Sequence, residues 1–167
     1  MNLSTSLALE KLAHINHSSV VRSAVGEINV VNKMNEVKSN LGGEGNGGVI
    51  LRECHLGRDS MIAATMVLNR MSQTNDTLSE IHRSLPTFEI VKDRVSVEGI
   101  DPDVIIEKVS TLFNDADINN LDGIKFTWDE KWVHLRRSNT EPILRIYAEA
   151  PNKDQALELI SKIKSII

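Results

Sequence analysis

The sequence predicts two mixed units in tandem, an α/β unit followed by an α+β unit. Three observations lead there. Up to about Met71, apolar residues recur at helical spacing between short β-branched or glycine-bounded runs, the order of an α/β arrangement. The stretch Ser72-Gln73-Thr74-Asn75-Asp76 is polar, lies between two helical patterns and reads as a linker. Beyond it strand-like alternation dominates, with four predicted strands and two main helices. The predicted domains are residues 1–73 and residues 77–167.

Taken in order, Leu7, Ala8, Leu9, Leu12 and Ala13 form a helical pattern behind Leu3-Ser4-Thr5-Ser6. The chain enters this pattern abruptly, so the first unit is expected to be incomplete at its N-terminus. Val20 to Val25, a β-branched run closed by Gly26, is the expected strand, and Ile28, Val31 and Met34 then recur at helical spacing as far as Val37. Met61, Ala64, Thr65, Leu68 and Met71 share one face of a helix, with Asp59 near its N-terminus, where a carboxylate is favoured. Arg58 and Asp59 read as salt-bridge and capping residues.

In the second half, Leu78 to Leu85 is a short helix. Phe88 to Val97 alternates, with Val91, Val95 and Val97 on one face and Lys92 and Arg94 on the other. Asp101-Pro102 opens a helix with proline in its first turn and an apolar stripe of Ile105, Val109, Leu112 and Phe113. Leu121 to Phe126 and Trp132 to Leu135 are strands around a turn at residues 129–131, Leu144 to Ala148 is the strand after them, and a last helix from about Asn152 aligns Ala156, Ile160, Ile163 and Ile167. No internal repeat is evident.

The 167 residues are enough to bury a sizeable core, and 41% apolar and 25% charged residues are ordinary for a soluble protein. No apolar run approaches the roughly 20 residues of a membrane span. A net charge of −4 with no long basic block argues against nucleic acid and anionic membranes as partners, so any anion site must be local. The single cysteine, Cys54, excludes an internal disulfide and a cysteine metal cluster, which suits a reducing compartment. With no signal or lipidation motif visible, the expected location is cytoplasmic.

The most informative stretch is Arg136-Arg137-Ser138-Asn139-Thr140-Glu141-Pro142, with Arg145 beyond it. It sets three fixed cations, two hydroxyls and a carboxamide between two strand-like segments. On the period-two rule Val133 and Leu135 share the inner face, as do Leu144, Ile146 and Ala148, which leaves Arg136 and Arg145 pointing outward beside the loop. Arg137 falls on the Val133 side and is left out of the ligand set. Turn backbones with Ser, Asn and Thr form concave anion sites, and guanidinium forks match phosphate oxygens bidentately. On chemistry alone the stretch reads equally as a phosphate site or as a polar hairpin tip with solvated arginines.

The second informative stretch, residues 41–50, holds five of the nine glycines. Glycines permit positive φ and close backbone approach, while Glu44 and Asn46 alone project functional groups. A carboxylate and a carboxamide one residue apart can bracket neighbouring sugar hydroxyls; a tight turn with both side chains merely solvated is the other reading. The spacing fits neither a P-loop nor a dinucleotide fingerprint.

Other groupings carry less. His14 and His17 have metal-ligand spacing without a third ligand. His134, on a strand near Arg136, is expected to be a satisfied surface histidine. His55 and His82 have no recognisable partners, and Cys54 beside His55 points away from it on an extended segment.

Two strings resemble one family. Gly43-Glu44-Gly45-Asn46-Gly47-Gly48 is similar to the sugar-recognition loop of the α-D-phosphohexomutases, and Arg136 to Pro142 with Arg145 resembles their C-terminal phosphate-binding loop. Their order and separation agree with the family, as do Val25-Gly26-Glu27 and Gly57-Arg58-Asp59. The resemblance covers nearly the whole chain and implies most of a third, sugar-recognition domain at residues 1–73 and a complete C-terminal phosphate-binding domain at residues 77–167, a four-stranded antiparallel sheet with helices on one face. It further implies an enzyme that moves a phosphoryl group between the 1 and 6 positions of a hexose phosphate through a hexose bisphosphate. In such enzymes a first-domain phosphoserine donates the group and a second-domain loop holds Mg2+.

This sequence contains neither Ser-His-Asn-Pro nor Asp-Gly-Asp-x-Asp-Arg, so it is expected to be a C-terminal fragment, inactive alone and not itself binding Mg2+. A stand-alone sugar-phosphate binding or regulatory module is the alternative. By motif, Glu44 and Asn46 would bind sugar hydroxyls, and Arg136, Ser138, Asn139, Thr140 and Arg145 would hold the nonreacting phosphate. Many members have Ser where Asn46 stands and His where Gly48 stands. Asn139, where bacterial phosphoglucosamine mutases usually have Gly, resembles the phosphomannomutase/phosphoglucomutase branch.

Overall fold

Alternation in the second half becomes one antiparallel sheet, and the helical periods of the first half become helices around a short hairpin. The computed structural model describes residues 1–138 and 141–167. Packing divides it into Met1–Thr87 and Phe88–Ile167.

The first unit contains α1 (Ala8–Ile15), α2 (Glu27–Val37), β1 (Leu41–Gly43), β2 (Val49–Leu51), α3 (Ser60–Thr74) and α4 (Leu78–Ser84). Strands β1 and β2 pair antiparallel, with Gly43 opposite Val49, and the loop between them is the glycine-rich stretch. Helix α3 is capped by Asp59, whose side chain accepts from the Met61 and Ile62 amides at 2.8 and 3.0 Å, the expected role. Helix α4 carries a reciprocal capping box between Thr77 and Glu80. The local core is small: Val30, Met34 and Ile50 are buried together, with Val31 against them.

Four expectations are corrected in this unit. The Val20–Gly26 run forms no named strand; Ser23 makes a single parallel bridge to Asn2. Three bonds hold it there: the Ser23 amide donates to Met1 O, the Leu3 amide to Ser23 O, and the Met1 ammonium to Val21 O. With only this short segment alongside, the β-branched run has no ladder to join. In α2 the buried stripe is Val30 and Met34, while Ile28 is exposed. The α3 face of Met61 and Leu68 is likewise exposed, and Ile62 and Ala63 are the more covered residues. Both helices are apolar on more than one side, so a 3.6-residue stripe can be phased in two ways. The linker at residues 72–76 is helical through Thr74, and α4 groups with the first unit.

The second unit contains β3 (Glu89–Ser96), α5 (Pro102–Ser110), β4 (Asp117–Asn119), β5 (Ile124–Thr127), β6 (Trp132–Arg137), β7 (Ile143–Ala150) and α6 (Lys153–Lys164). The sheet has five strands in the order β3-β7-β6-β5-β4, all antiparallel, where four were expected. The additional strand, β4, is an exposed edge of Asp117, Ile118 and Asn119. Three residues with two polar side chains carry no alternation to read. Inward residues of the strands (Ile124, Phe126, Val133, Leu135, Leu144, Ile146, Ala148) pack with Ile105 and Val109 of α5 and with Ala156, Leu159, Ile160 and Ile163 of α6. Phe113, expected on the α5 stripe, lies beyond the helix and meets Phe126 edge-on at 5.0 Å between centroids.

Candidate functional site

Each unit presents one of the two stretches. In the second unit β6 and β7 bring the arginines together. Register pairs Arg136 with Arg145 and Arg137 with Leu144, and the Ser138 amide donates to Ile143 O at 3.0 Å, closing the strand ends around residues 138–142. Directly paired residues share a face, so Arg136 and Arg145 stand side by side on the face opposite Leu135, Leu144 and Ile146. Arg145 Nη2 donates to Ser138 Oγ at 3.4 Å and lies 3.9 Å from Glu141 Oε2. The Nε of Arg136 is buried and has no hydrogen-bond partner among the described residues. A buried guanidinium N–H without an acceptor is costly, and a bound anion would supply one. Asn139 and Thr140, assigned to the same phosphate by motif, lie outside the described residues.

Arg137 behaves as its parity requires. It turns to the other face and pairs with Asp101 and Asp103 at the N-terminus of α5. A third feature escaped the sequence reading. Gly123 (φ +73°) abuts β6 closely: a Cβ there would overlap Leu135 O and sit 2.8 Å from Arg136 Cα. The Asp122-Gly123 pair before Ile124 was its available signal, and this close approach sets the start of β5 against the strand that carries Arg136.

His134 is buried rather than at the surface, and its Nε2–H donates to Asp122 O at 2.6 Å. Burial pushes its pKa down from 6.5 to about 4; the Asp122 bond opposes that shift, and the Lys125 and Arg136 charges add to it. The imidazole is therefore neutral at pH 7.

In the first unit the glycine loop is closed by Glu44 N donating to Gly48 O at 2.9 Å and Gly47 N to Glu44 O at 3.1 Å. Gly47 has φ +92°, and a Cβ at Gly43 would stand 2.6 Å from Gly48 O, so this turn demands glycine at both positions. Glu44 does not project freely. Its side chain is 5% exposed, Oε1 accepts from Asn2 Nδ2 at 3.0 Å and from the Gly26 amide at 3.1 Å, and Arg58 Nη1 lies 3.7 Å from Oε2. Asn46 is exposed; its Oδ1 accepts from the Gly48 amide at 3.1 Å, which turns the carboxamide back on its own loop. Arg58, read as a salt-bridge residue, donates Nε to Glu27 at 2.7 Å. Hydrogen bonds from the Arg58 backbone and side chain hold the Glu27 carboxyl below its usual range. A Cβ at Gly48 would lie 2.5 Å from Arg58 Cδ. The Arg58 side chain thus fills the space that a residue larger than glycine would take.

Residues 1–88 match the model for "Phosphoglucomutase/phosphomannomutase, alpha/beta/alpha domain III", and residues 94–165 match that for "Phosphoglucomutase/phosphomannomutase, C-terminal domain". A phosphoglucomutase/phosphomannomutase of Thermococcus kodakarensis is 34% identical over 95% of this chain and 35% of its own length. A probable phosphoglucosamine mutase of Methanopyrus kandleri is 29% identical over 100% of this chain and 37% of its own. Among solved structures, a phosphoglucomutase/phosphomannomutase family protein of Burkholderia thailandensis superposes with a TM-score of 0.77 at 18% identity, covering 95% of this chain and 34% of that one. A putative phosphomannomutase from Thermus thermophilus gives 0.71 at 21% identity, covering 99% and 35%. The chain spans about a third of the length of these relatives. With both domain models matched in order along it, the chain belongs to the phosphoglucomutase/phosphomannomutase family.

Proposed function

We propose that this chain is the sugar- and phosphate-gripping part of a phosphohexomutase that interconverts hexose 1-phosphate and hexose 6-phosphate. The observation that carries the reading is the outward Arg136–Arg145 pair, set beside Ser138, with the Arg136 Nε buried and lacking an acceptor among the described residues. A phosphate monoester fits it: two planar forks and a hydroxyl grip the phosphate oxygens and ignore which sugar carbon bears the ester. Asn139 and Thr140 complete the phosphate set. That indifference suits a hexose bisphosphate intermediate, which must be held by either end.

Glu44 and Asn46 bind sugar hydroxyls in this reading. The nested Glu44 carboxylate, held by Asn2, Gly26 and Arg58, is fixed in orientation before any ligand arrives, and such preorganisation lowers the cost of binding. Arg58 adds a donor beside it. Among the described residues no three His, Cys, Asp or Glu side chains gather to hold a metal ion. The roles assigned to this chain are binding roles, because its sequence carries neither the Ser-His-Asn-Pro nor the Asp-Gly-Asp-x-Asp-Arg string that the family resemblance links to the phosphoryl donor and Mg2+. Among the described residues no helix is long and apolar enough to cross a membrane. We place the protein in the cytoplasm, in keeping with its exposed, unpaired Cys54.

Titration of the chain with glucose 6-phosphate or mannose 6-phosphate, followed by calorimetry or amide chemical shifts, tests the assignment. Arg136→Ala should weaken binding by about 1.5 to 3 kcal/mol, as for a lost charge-assisted hydrogen bond. Unchanged affinity removes Arg136 from the site.

A further inference from the structure

The register of the sheet places a third arginine in line with the pair. Strand β3 lies on the other side of β7 from β6, and its Arg94 is the direct partner of Arg145. Arg94, Arg145 and Arg136 therefore form one cross-strand row over three adjacent strands, on one face. The rest of β3 confirms the face. Val91 and Val95 pack on the core, and Asp93 turns to the same side to accept from Lys164 of α6 at 3.0 Å. Arg94 is exposed on the opposite side and has no ion-pair partner among the described residues.

Like charges directly opposite one another destabilise a sheet. The two faces treat their arginines differently. On the core side Arg137 is matched by two carboxylates, Asp101 and Asp103. On the other side, Arg145 has Glu141 at 3.9 Å, and neither Arg94 nor Arg136 has an ion-pair partner among the described residues. The excess lies beside the anion loop, because β3 is tied to it: the Val97 amide donates to Pro142 O at 3.0 Å, and Ser96 pairs with Ile143. A row of cations with too few counter-charges next to an anion loop is stable once an anion sits on it.

We infer that Arg94 is a further phosphate-binding residue, the third guanidinium of the site. This rests on the proposed reading of Arg136 and Arg145 as a clamp for the dianionic phosphate of a hexose phosphate. Arg94 approaches that phosphate from the β3 side, while Arg136 approaches from β6 and Arg145 stands between them.

The test compares Arg94→Gln, Arg94→Lys and Arg136→Ala in the whole chain, using glucose 6-phosphate titration and thermal melting without ligand. Arg94→Gln should weaken binding about five- to tenfold, less than a buried arginine would because Arg94 is solvated. Arg94→Lys should keep affinity within about threefold, since the charge remains and only the fork is lost. Without ligand, Arg94→Gln should melt no lower than the parent, because removing a like charge from the row relieves repulsion. If Arg136→Ala weakens binding and Arg94→Gln does not, the clamp stands and Arg94 is excluded from it. If neither weakens binding, the clamp reading falls and the role of Arg94 falls with it. If Arg94→Gln weakens binding together with a lower melting temperature that Arg94→Lys does not restore, Arg94 is structural and the inference is overturned.

Discussion

The two candidate loops hold their polar groups in opposite ways. In the first unit the candidate carboxylate of Glu44 is already engaged by Asn2, Gly26 and Arg58, in a unit whose apolar cluster is Val30, Met34 and Ile50. In the second unit the scaffold is a five-stranded sheet with a continuous apolar core, and Arg136 retains a buried N–H without an acceptor among the described residues. The first site is preorganised by its own hydrogen bonds, and the second by the stiffness of what lies beneath it. Loops that satisfy themselves tolerate a thin core; a loop that must keep cations unsatisfied needs a thick one.

Three changes would break or sharpen that contrast. The largest is Phe126→Ala, which empties a fully buried ring site that touches Phe113 and should cost about 3 to 5 kcal/mol. Both tryptophans lie in the second unit, so urea unfolding followed by tryptophan emission reads it directly. A loss under about 1 kcal/mol would show that this site does not depend on its core.

The next effect is acid sensitivity. His134 takes up its proton near pH 6.5 when unfolded and near pH 4 when folded. Between those values the unfolded chain binds more protons, so the contribution is full above pH 6.5 and is lost as pH falls toward 4. The total is on the order of 3 kcal/mol. Denaturation midpoints measured across that range should drop in the parent, and His134→Gln should flatten the slope. An equal slope in both would mean that the burial of His134 is not what couples this unit to pH.

The smallest effect belongs to the first unit. Glu44→Gln keeps the shape of the nested side chain but removes its charge, and should cost about 1 to 2 kcal/mol. Hydrogen exchange at the Gly26 amide, which donates to Glu44, is the local readout. Protection as strong as in the parent would show that the first loop does not depend on its carboxylate.

What the sequence made legible follows from these physical differences. Alternation over Trp132–Arg137 and Ile143–Ala150 is long enough to fix both strands and to turn Arg136 and Arg145 outward. Asp59 announces the start of α3 because a capping side chain acts within three residues of itself. The failures depend on partners distant in the chain. Val20–Gly26 has strand composition but only Asn2 to bridge to, β4 is too short and polar to show a period, and Ile28 and Met61 sit on helices apolar in more than one direction. The engagement of Glu44 with Asn2 and Gly26 could not be read from the glycine loop alone. Arg94 was placed on the correct face, yet its meeting with Arg145 depends on a register spanning 51 positions of chain.

That register has a second consequence. A slip of one residue by β6 would exchange the faces of the whole strand, sending Arg136 and His134 toward Phe126 and Ile146 and turning Val133 and Leu135 outward. Burying a guanidinium without a partner makes such a slip prohibitive. The arginines that would grip the ligand therefore also act as proofreaders of the sheet, rejecting misaligned pairings before any ligand is present.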